Sequence, residues 1–213
     1  QALGESAANK TEMLMAGDLA ARLDMPELAV VLGMKASEQG FQGVERIGYP
    51  TIPTPTVGDW TMVHAISRQE SEFDRTRISH AGARGIMQLM PGTAREQSGK
   101  LGKRYLRASL IGEPLYNIEL GDAYFQRMLR YYGGAYPLAI GAYNAGPGRV
   151  NQWLRLNGDP RTGAIDWVTW VERIPSNFET RYYIMRVLGN AVTYSHMHPD
   201  QAGLPRQIDV FLP

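Results

Sequence analysis

One carboxylate in the sequence lies in line with an apolar helical stripe. Val63, Ile66 and Phe73 form this stripe at helix spacing, and Glu70 follows Ile66 by four residues. Apolar surroundings disfavour the charged form of a carboxyl group and raise its pKa, which is what a general acid needs near neutral pH. Helical geometry alone favours a solvated glutamate at the edge of the stripe, so the neighbouring segments decide between the two interpretations.

A glycine-rich segment begins nine residues after Glu70 and reads SHAGARGIMQLMP over residues 79–91. Its small residues let the backbone turn tightly and approach a ligand closely, while its methionines supply flexible apolar contacts. Pro91 then opens a new helix, with Thr93 in the first turn. The purely structural interpretation of this segment is a glycine-rich loop with methionines in the core.

Two short helices precede these residues. Apolar residues recur at helix spacing from Ser6 to about Gln39, and Pro26 fits the first turn of the second helix. Such a pair buries little by itself, so it is either the last pair of a helical array or a small cap on the main domain. Three prolines between residues 48 and 58 then remove backbone donors, which indicates a linker.

The domain after the linker is predicted to be almost all helix, because no window alternates as a strand does. Asp59 is the expected N-cap of a helix from residue 60 to about residue 73. The predicted fold class is all-α, with a helical segment at 1–48, a linker at 49–58 and the main domain at 59–213. Further helices are predicted at residues 91–97, 117–131, 137–143, 148–157, 166–173 and 180–194.

Composition and charge argue against several classes of protein. The net charge is +1 and there is no run of like charges, so the sequence lacks the continuous run of basic residues that would indicate nucleic-acid binding. The absence of cysteine removes disulfides, thiolate metal sites and a cysteine nucleophile. The longest uncharged stretch, residues 131–148, has five glycines and two prolines, too many breaks for a membrane span. His196 and His198 lack a third ligand, so we predict no metal and no cofactor.

The order of several motifs resembles the soluble lytic transglycosylase family. The first are Glu70-Ser71-x-Phe73 and the segment of residues 79–94. Residues 117–121 (NIELG), 142–148 (AYNAGPG) and 174–183, which include Phe178, follow in order. The resemblance covers roughly residues 59–194, and several long motifs in agreement are far more specific than one short match.

The resemblance implies a lysozyme-like helical fold and a cleft for the alternating N-acetylglucosamine and N-acetylmuramic acid of bacterial peptidoglycan. Glu70 would be the catalytic acid and base, and peptidoglycan as partner implies a periplasmic location. The helical pair at 1–48 resembles the end of an α-superhelical domain. The positions that match the family's substrate cleft are Ser79, Gln88, Met90, Thr93, Tyr143, Asn144 and Glu179.

Ordinary glycosidases place two carboxyl groups about 5 to 10 Å apart, and no motif assigns a partner to Glu70. Glu72 points to another side of the helix, Asp74 follows its end, and Glu179 can come close only through the fold. The resemblance implies a reaction with one carboxyl group. Glu70 protonates the glycosidic oxygen, the substrate's 2-acetamido group stabilises the positive charge, and the 6-hydroxyl closes onto C1 to give a 1,6-anhydromuramic acid end.

Two other functions stay open. A goose-type lysozyme would share the fold and the single glutamate but deliver water to C1. A non-catalytic wall-binding module would keep the cleft, although it has no need of a proton donor such as Glu70.

Tyr143 and Asn144 are expected to offer a hydroxyl and an amide to the acetamido group or to Glu70. The alternative is that they form a helix C-terminal cap with a packed tyrosine.

Overall fold

The structure, a computed structural model, describes residues 9–175, 179–202 and 207–212, so Ser6 and Phe178 lie outside it. In these ranges the chain forms α-helices, two 3-10 turns and no named strand, which confirms the predicted all-α class. None of the described helices is both long and apolar enough to cross a membrane. The helices are α1 Lys10–Arg22, α2 Pro26–Glu38, α3 Glu45–Gly48, α4 Trp60–Ser71, α5 Pro91–Lys100, α6 Ser109–Gly112, α7 Pro114–Tyr131, α8 Tyr136–Ala145, α9 Pro147–Asn157, α10 Trp167–Glu172, α11 Thr180–Met197 and α12 Pro199–Ala202.

Helix α4 begins where the sequence predicts and ends earlier. The Asp59 carboxylate accepts a hydrogen bond from the Met62 backbone N–H at 3.1 Å, which confirms the predicted N-cap. The helix ends at Ser71 because Glu72 and Phe73 take left-handed φ values of 55° and 68°. Residues other than glycine rarely adopt this region, so tertiary packing must hold the turn, and Phe73 is indeed buried.

Helices α4 and α11 form the most extensive helix pair of the molecule. They are antiparallel, since Trp60 at the start of α4 contacts the ring of Tyr194 near the end of α11. Helix α8 packs against α7, α9 and α11. The buried side chains of these helices belong to one continuous core, which also includes Trp170 of α10 and Tyr132 after the end of α7. That arrangement fixes the end of α4 from several sides.

Helices α1, α2 and α3 have a smaller apolar core of their own. Gly33 of α2 packs directly on Gly48 of α3, where a Cβ atom on Gly33 would lie 2.3 Å from the Gly48 Cα. Only glycine allows so close an approach of two backbones. The buried residues of this second core are Met13, Ala16, Ala20, Ala29, Leu32, Ala36, Val44 and Ile47.

The proline-rich linker is hydrogen-bonded to the main domain. The Tyr194 hydroxyl donates to the Pro50 carbonyl at 2.9 Å, and the Ile52 N–H donates to His64 Nε2 at 3.2 Å. The ring proton of His64 therefore lies on Nδ1, which is 2.9 Å from the Trp60 carbonyl. Burial lowers the pKa of His64 to about 4, so this histidine is a neutral, packed residue.

Candidate active site

Glu70 lies in the last turn of α4 and is only partly exposed. The hydroxyl of Tyr183, on α11, donates a hydrogen bond to Glu70 Oε1 at 2.7 Å. Burial raises the pKa of Glu70 from its ordinary 4.5 to about 7, and the hydrogen bond from Tyr183 opposes this rise. The carboxyl group can thus hold a proton near neutral pH, where it can both give and take one.

Two charged residues act on the pKa of Glu70 in opposite directions. The carboxylate of Glu179 raises it by repulsion, and the guanidinium of Arg77 lowers it by attraction. Glu179 is exposed, and its Oε1 accepts a long hydrogen bond of 3.5 Å from Asn144 Nδ2. The Thr180 hydroxyl donates to Asn144 Oδ1 at 2.6 Å, which orients the amide. Glu179 is therefore a second carboxylate near Glu70 that acts on it through charge.

Both buried tyrosines of the site keep their protons over the range in which Glu70 titrates. Burial and the charge of Glu70 raise the pKa values of Tyr183 and Tyr143 well above 10. The Tyr143 hydroxyl donates to the Met87 carbonyl at 2.8 Å, in the glycine-rich segment, and not to Glu70. The direct hydroxyl donor to Glu70 is thus Tyr183, and Tyr143 supports the loop.

The glycine-rich segment folds back on itself through backbone bridges between residues 78 and 84 and between residues 84 and 89. Asn117, fully buried on α7, joins it to α6 with three hydrogen bonds, two to the segment and one to Leu110 of α6. Its Oδ1 accepts from the Met87 N–H at 2.9 Å, and its Nδ2 donates to the carbonyls of Arg84 at 2.9 Å and Leu110 at 3.0 Å. One side chain therefore fixes three backbone groups beside the site.

Two further residues hold the same segment close to its neighbours. The Ser71 hydroxyl donates to the Ile86 carbonyl at 2.7 Å, which joins the segment to the end of α4. Gly85 has a φ of 76°, and a Cβ atom at this position would lie 2.0 Å from the Leu110 carbonyl oxygen. Glycine is required there by both conformation and space.

The remaining predicted cleft residues lie in or directly after this segment. Ser79 is half-buried, and its hydroxyl oxygen accepts the N–H of residue 83 at 3.0 Å. Gln88 has a φ of 48° and donates from Nε2 to the backbone carbonyls of residues 77 and 85. Met90 is 44% exposed, and Thr93 is half-buried in the first turn of α5. Ser79 and Gln88 thus shape the loop.

The roles of Tyr183 and Asn117 are not assigned from the sequence, although both residues fall within the motifs quoted above. Their positions in those motifs are the available signal, since neither spacing nor helix periodicity links them to Glu70 or to the loop. Among the described residues, no group of three histidine, aspartate or glutamate side chains is arranged to hold a metal ion.

Fold and site together define a lysozyme-like helical protein with a protonatable glutamate at the end of a core helix. The family model named Transglycosylase SLT domain matches residues 56–165. The chain belongs to the SLT transglycosylase family, which confirms the resemblance seen in the sequence.

Relatives and solved structures agree with this assignment. The soluble lytic murein transglycosylase of Salmonella typhimurium is 41% identical over 133 residues, which are 62% of this chain and 20% of that protein. The 70 kDa soluble lytic transglycosylase from Escherichia coli superimposes with a TM-score of 0.76 at 28% identity, over 94% of this chain and 33% of the other. An inactive glutamate-to-glutamine mutant of the lytic transglycosylase Slt from Pseudomonas aeruginosa superimposes with a TM-score of 0.74 at 32% identity. The superposition covers 94% of this chain and 32% of the other. The chain spans about a fifth of the length of the curated relatives it matches.

Proposed function

We propose that this chain is the catalytic part of a peptidoglycan lytic transglycosylase. It would cleave the β-1,4 bond between N-acetylmuramic acid and N-acetylglucosamine and leave a 1,6-anhydromuramic acid end. The observation that carries the proposal is the carboxyl group of Glu70, which has a pKa of about 7 and a hydrogen bond from Tyr183. The names of the relatives support murein as the substrate, and murein implies the periplasm.

In the first step, protonated Glu70 acts as the general acid. Its Oε1 accepts the hydroxyl of Tyr183, so the proton to be transferred is assigned to Oε2. This proton passes to the glycosidic oxygen as the bond to C1 of the muramic acid breaks. The oxygen of the substrate's 2-acetamido group stabilises the positive charge at C1, as in other substrate-assisted glycosidases.

In the second step, the same group acts as the base. Ionised Glu70 takes the proton of the 6-hydroxyl, and O6 forms the new bond to C1. The hydrogen bond from Tyr183 strengthens when Glu70 is charged, so it stabilises the carboxylate between the two steps. Attack within one sugar ring benefits from a high effective concentration, and no water is consumed.

We infer that the other cleft residues hold the sugars around this carboxyl group. Met90 offers exposed apolar surface, and Gln88 retains its side-chain carbonyl for a ligand because its amide nitrogen is already bonded. Asn144 and Glu179 would border the site beside Glu70. Ser79 and Thr93 complete the proposed set. Tyr143 supports it indirectly, through its hydrogen bond to the Met87 carbonyl in the glycine-rich segment.

Mass spectrometry of the fragments released from purified peptidoglycan tests the proposed function. We expect products lighter by one water than reducing muropeptides, and none from the Glu70→Gln variant. Reducing ends would identify a lysozyme that delivers water to C1. A protein that binds the wall but releases nothing would be a binding module.

The pH dependence of cleavage should move in opposite directions in two variants. The first step needs protonated Glu70, so kcat/KM should fall as the pH rises through about 7. Tyr183→Phe removes a hydrogen bond that lowers the pKa of Glu70, so the fall should shift to higher pH. Glu179→Gln removes a repulsion that raises the pKa, so the fall should shift to lower pH.

Kinetics across the pH range and a carbon NMR titration of the Glu70 carboxyl group measure these shifts independently. Agreement between the two methods would assign the kinetic pKa to Glu70. A shift in the same direction for both variants would contradict the roles given to Tyr183 and Glu179.

A further inference from the structure

We propose that the loop at the end of α5 binds the surface of an anionic lipid membrane. This basic loop, residues 100–107, connects α5 with α6 and reads KLGKRYLR. From Arg95 to Arg107 the chain has five basic residues and one acidic residue, a net charge of +4. The whole chain carries +1, so all other residues together carry −3. Positive charge is therefore concentrated at this end of α5.

The acidic side chains beside the basic loop are already neutralised. Glu96 forms ion pairs with Lys100 at 2.9 Å and with Arg127 of α7. Glu119 of α7 forms an ion pair with Lys103. Each of these carboxylates therefore binds at least one basic residue of its own, and the other basic residues of the loop keep their full charge.

Arg104 and Arg107 supply the free charges of the basic loop. Both residues are exposed, and within the part of the chain that the structure describes their guanidinium groups have no hydrogen-bond or ion-pair partner. Glu113, the next acidic residue along the chain, accepts the Ser109 hydroxyl at 2.7 Å instead. A guanidinium group can donate two parallel hydrogen bonds to a phosphate, so this pair of arginines suits the phosphates of anionic lipids.

Exposed apolar side chains lie between the charges of the basic loop. Leu101 is 42% exposed and Leu106 is 43% exposed. The ring of Tyr105 is half-buried under Arg95, whose guanidinium carbon lies 5.0 Å from the ring centre. Leucine next to arginine matches a membrane interface, where the apolar groups reach the acyl chains and the cations stay at the headgroups. A soluble polyanion would use the arginines but leave both leucines in water.

The backbone of the basic loop is held in place on both sides. The Lys103 N–H donates to the Ser98 carbonyl of α5 at 2.8 Å, and the Tyr116 hydroxyl of α7 donates to the Arg104 carbonyl at 3.0 Å. The ion pair between Lys103 and Glu119 adds a second link to α7. A loop that is already ordered loses little conformational entropy on binding.

The basic loop and the proposed glycan cleft lie at opposite ends of α5. Thr93, a proposed cleft residue, is in the first turn of α5, and Lys100 is its last residue. A helix rises about 1.5 Å per residue, so roughly 12 Å of α5 separates Thr93 from Leu101. The membrane-binding surface is therefore a second site, separate from the cleft, and the inference does not rest on the proposed function.

Sedimentation with lipid vesicles tests the proposal. Vesicles of phosphatidylcholine and phosphatidylglycerol, at roughly two to one, should bind the protein at low salt, and vesicles of phosphatidylcholine alone should not. Arg104→Gln combined with Arg107→Gln should raise the Kd for the anionic vesicles about twentyfold. The control combines Arg155→Gln and Arg186→Gln, at exposed positions on α9 and α11. It removes the same charge elsewhere and should change this Kd less than about twofold.

Leu101→Ser combined with Leu106→Ser tests the apolar part and keeps every charge. The Kd for the anionic vesicles should rise about tenfold, because the leucines no longer leave water on binding. Far-UV circular dichroism checks that each variant is folded.

No binding to the anionic vesicles, or equal weakening by the control, would overturn the inference. So would weaker binding of the arginine variant without an effect of the leucine variant, since that result indicates a site for soluble polyanions. Vesicle binding needs no turnover, so a failure of the proposed function would leave these measurements unchanged.

Discussion

Turnover on peptidoglycan is expected to fall about a thousandfold or more when Glu70 is replaced by glutamine, because the reaction loses its proton donor and acceptor. Glutamine has the size of glutamate, and its carbonyl oxygen can still accept the hydroxyl of Tyr183. Binding of the glycan should therefore persist. The measurement is the rate of muropeptide release, with Glu38→Gln, an exposed position on α2, as the control that keeps full activity.

The same variant should also alter how stability depends on pH. The folded protein holds the Glu70 proton more tightly than the unfolded chain, so wild-type stability falls as the pH rises from about 4.5 through about 7. The full loss is on the order of 3 kcal/mol. Glu70→Gln lacks this loss, so its melting temperature should exceed that of the wild type at pH 8 and match it below pH 4.5. A variant less stable than the wild type at pH 8 would mean that glutamine disrupts the site.

Asn117→Leu should lower the free energy of unfolding by about 4 kcal/mol, the largest stability effect we expect of a single substitution. The change removes three hydrogen bonds and leaves the Met87 N–H and the Leu110 carbonyl buried without partners, while the Arg84 carbonyl keeps only its bond from the Leu89 N–H. Urea unfolding measures the loss. Asn157→Leu is the control, since Asn157 makes one hydrogen bond, to the Arg173 carbonyl at 3.2 Å, at an exposed site.

Asn117→Asp separates the acceptor role of this side chain from its donor role. The carboxylate can still accept the Met87 N–H, but its second oxygen faces the carbonyl oxygens of Arg84 and Leu110, to which the amide nitrogen of Asn117 donates. We expect a loss of stability that is smaller at low pH, where the protonated acid regains one donor. A loss below about 1 kcal/mol for Asn117→Leu would show that the glycine-rich segment is held by other contacts.

Features set by neighbours in the chain could be predicted from the sequence. The N-cap at Asp59 and the helix starts at Pro26 and Pro91 follow from local backbone chemistry, and the structure has all three. Each helix predicted after residue 90 is present, with ends that differ by up to three residues. The motifs also identify the family and single out Glu70 as the catalytic candidate. Helix periodicity alone leaves Glu70 as a possible surface residue.

Features set by distant contacts could not be predicted in this way. Tyr183 and Glu70 are 113 residues apart, and only the antiparallel packing of α4 and α11 brings them together. The early end of α4 depends on left-handed conformations at Glu72 and Phe73, which neither residue type favours. The domain boundaries and the cleft roles of the seven other site residues stay predictions.

The web of hydrogen bonds around α4 also bears on how far the protein can be trimmed. The stretch that identifies the family, residues 56–165, contains Glu70 but neither Tyr183 nor Asn190. It also omits Gly48, whose carbonyl, like Asn190 Oδ1, binds Arg68 only two residues from Glu70. A fragment cut to this stretch would keep the acid and lose the groups that tune and brace it. The smallest fragment that keeps these contacts is thus larger than the region that the family model matches.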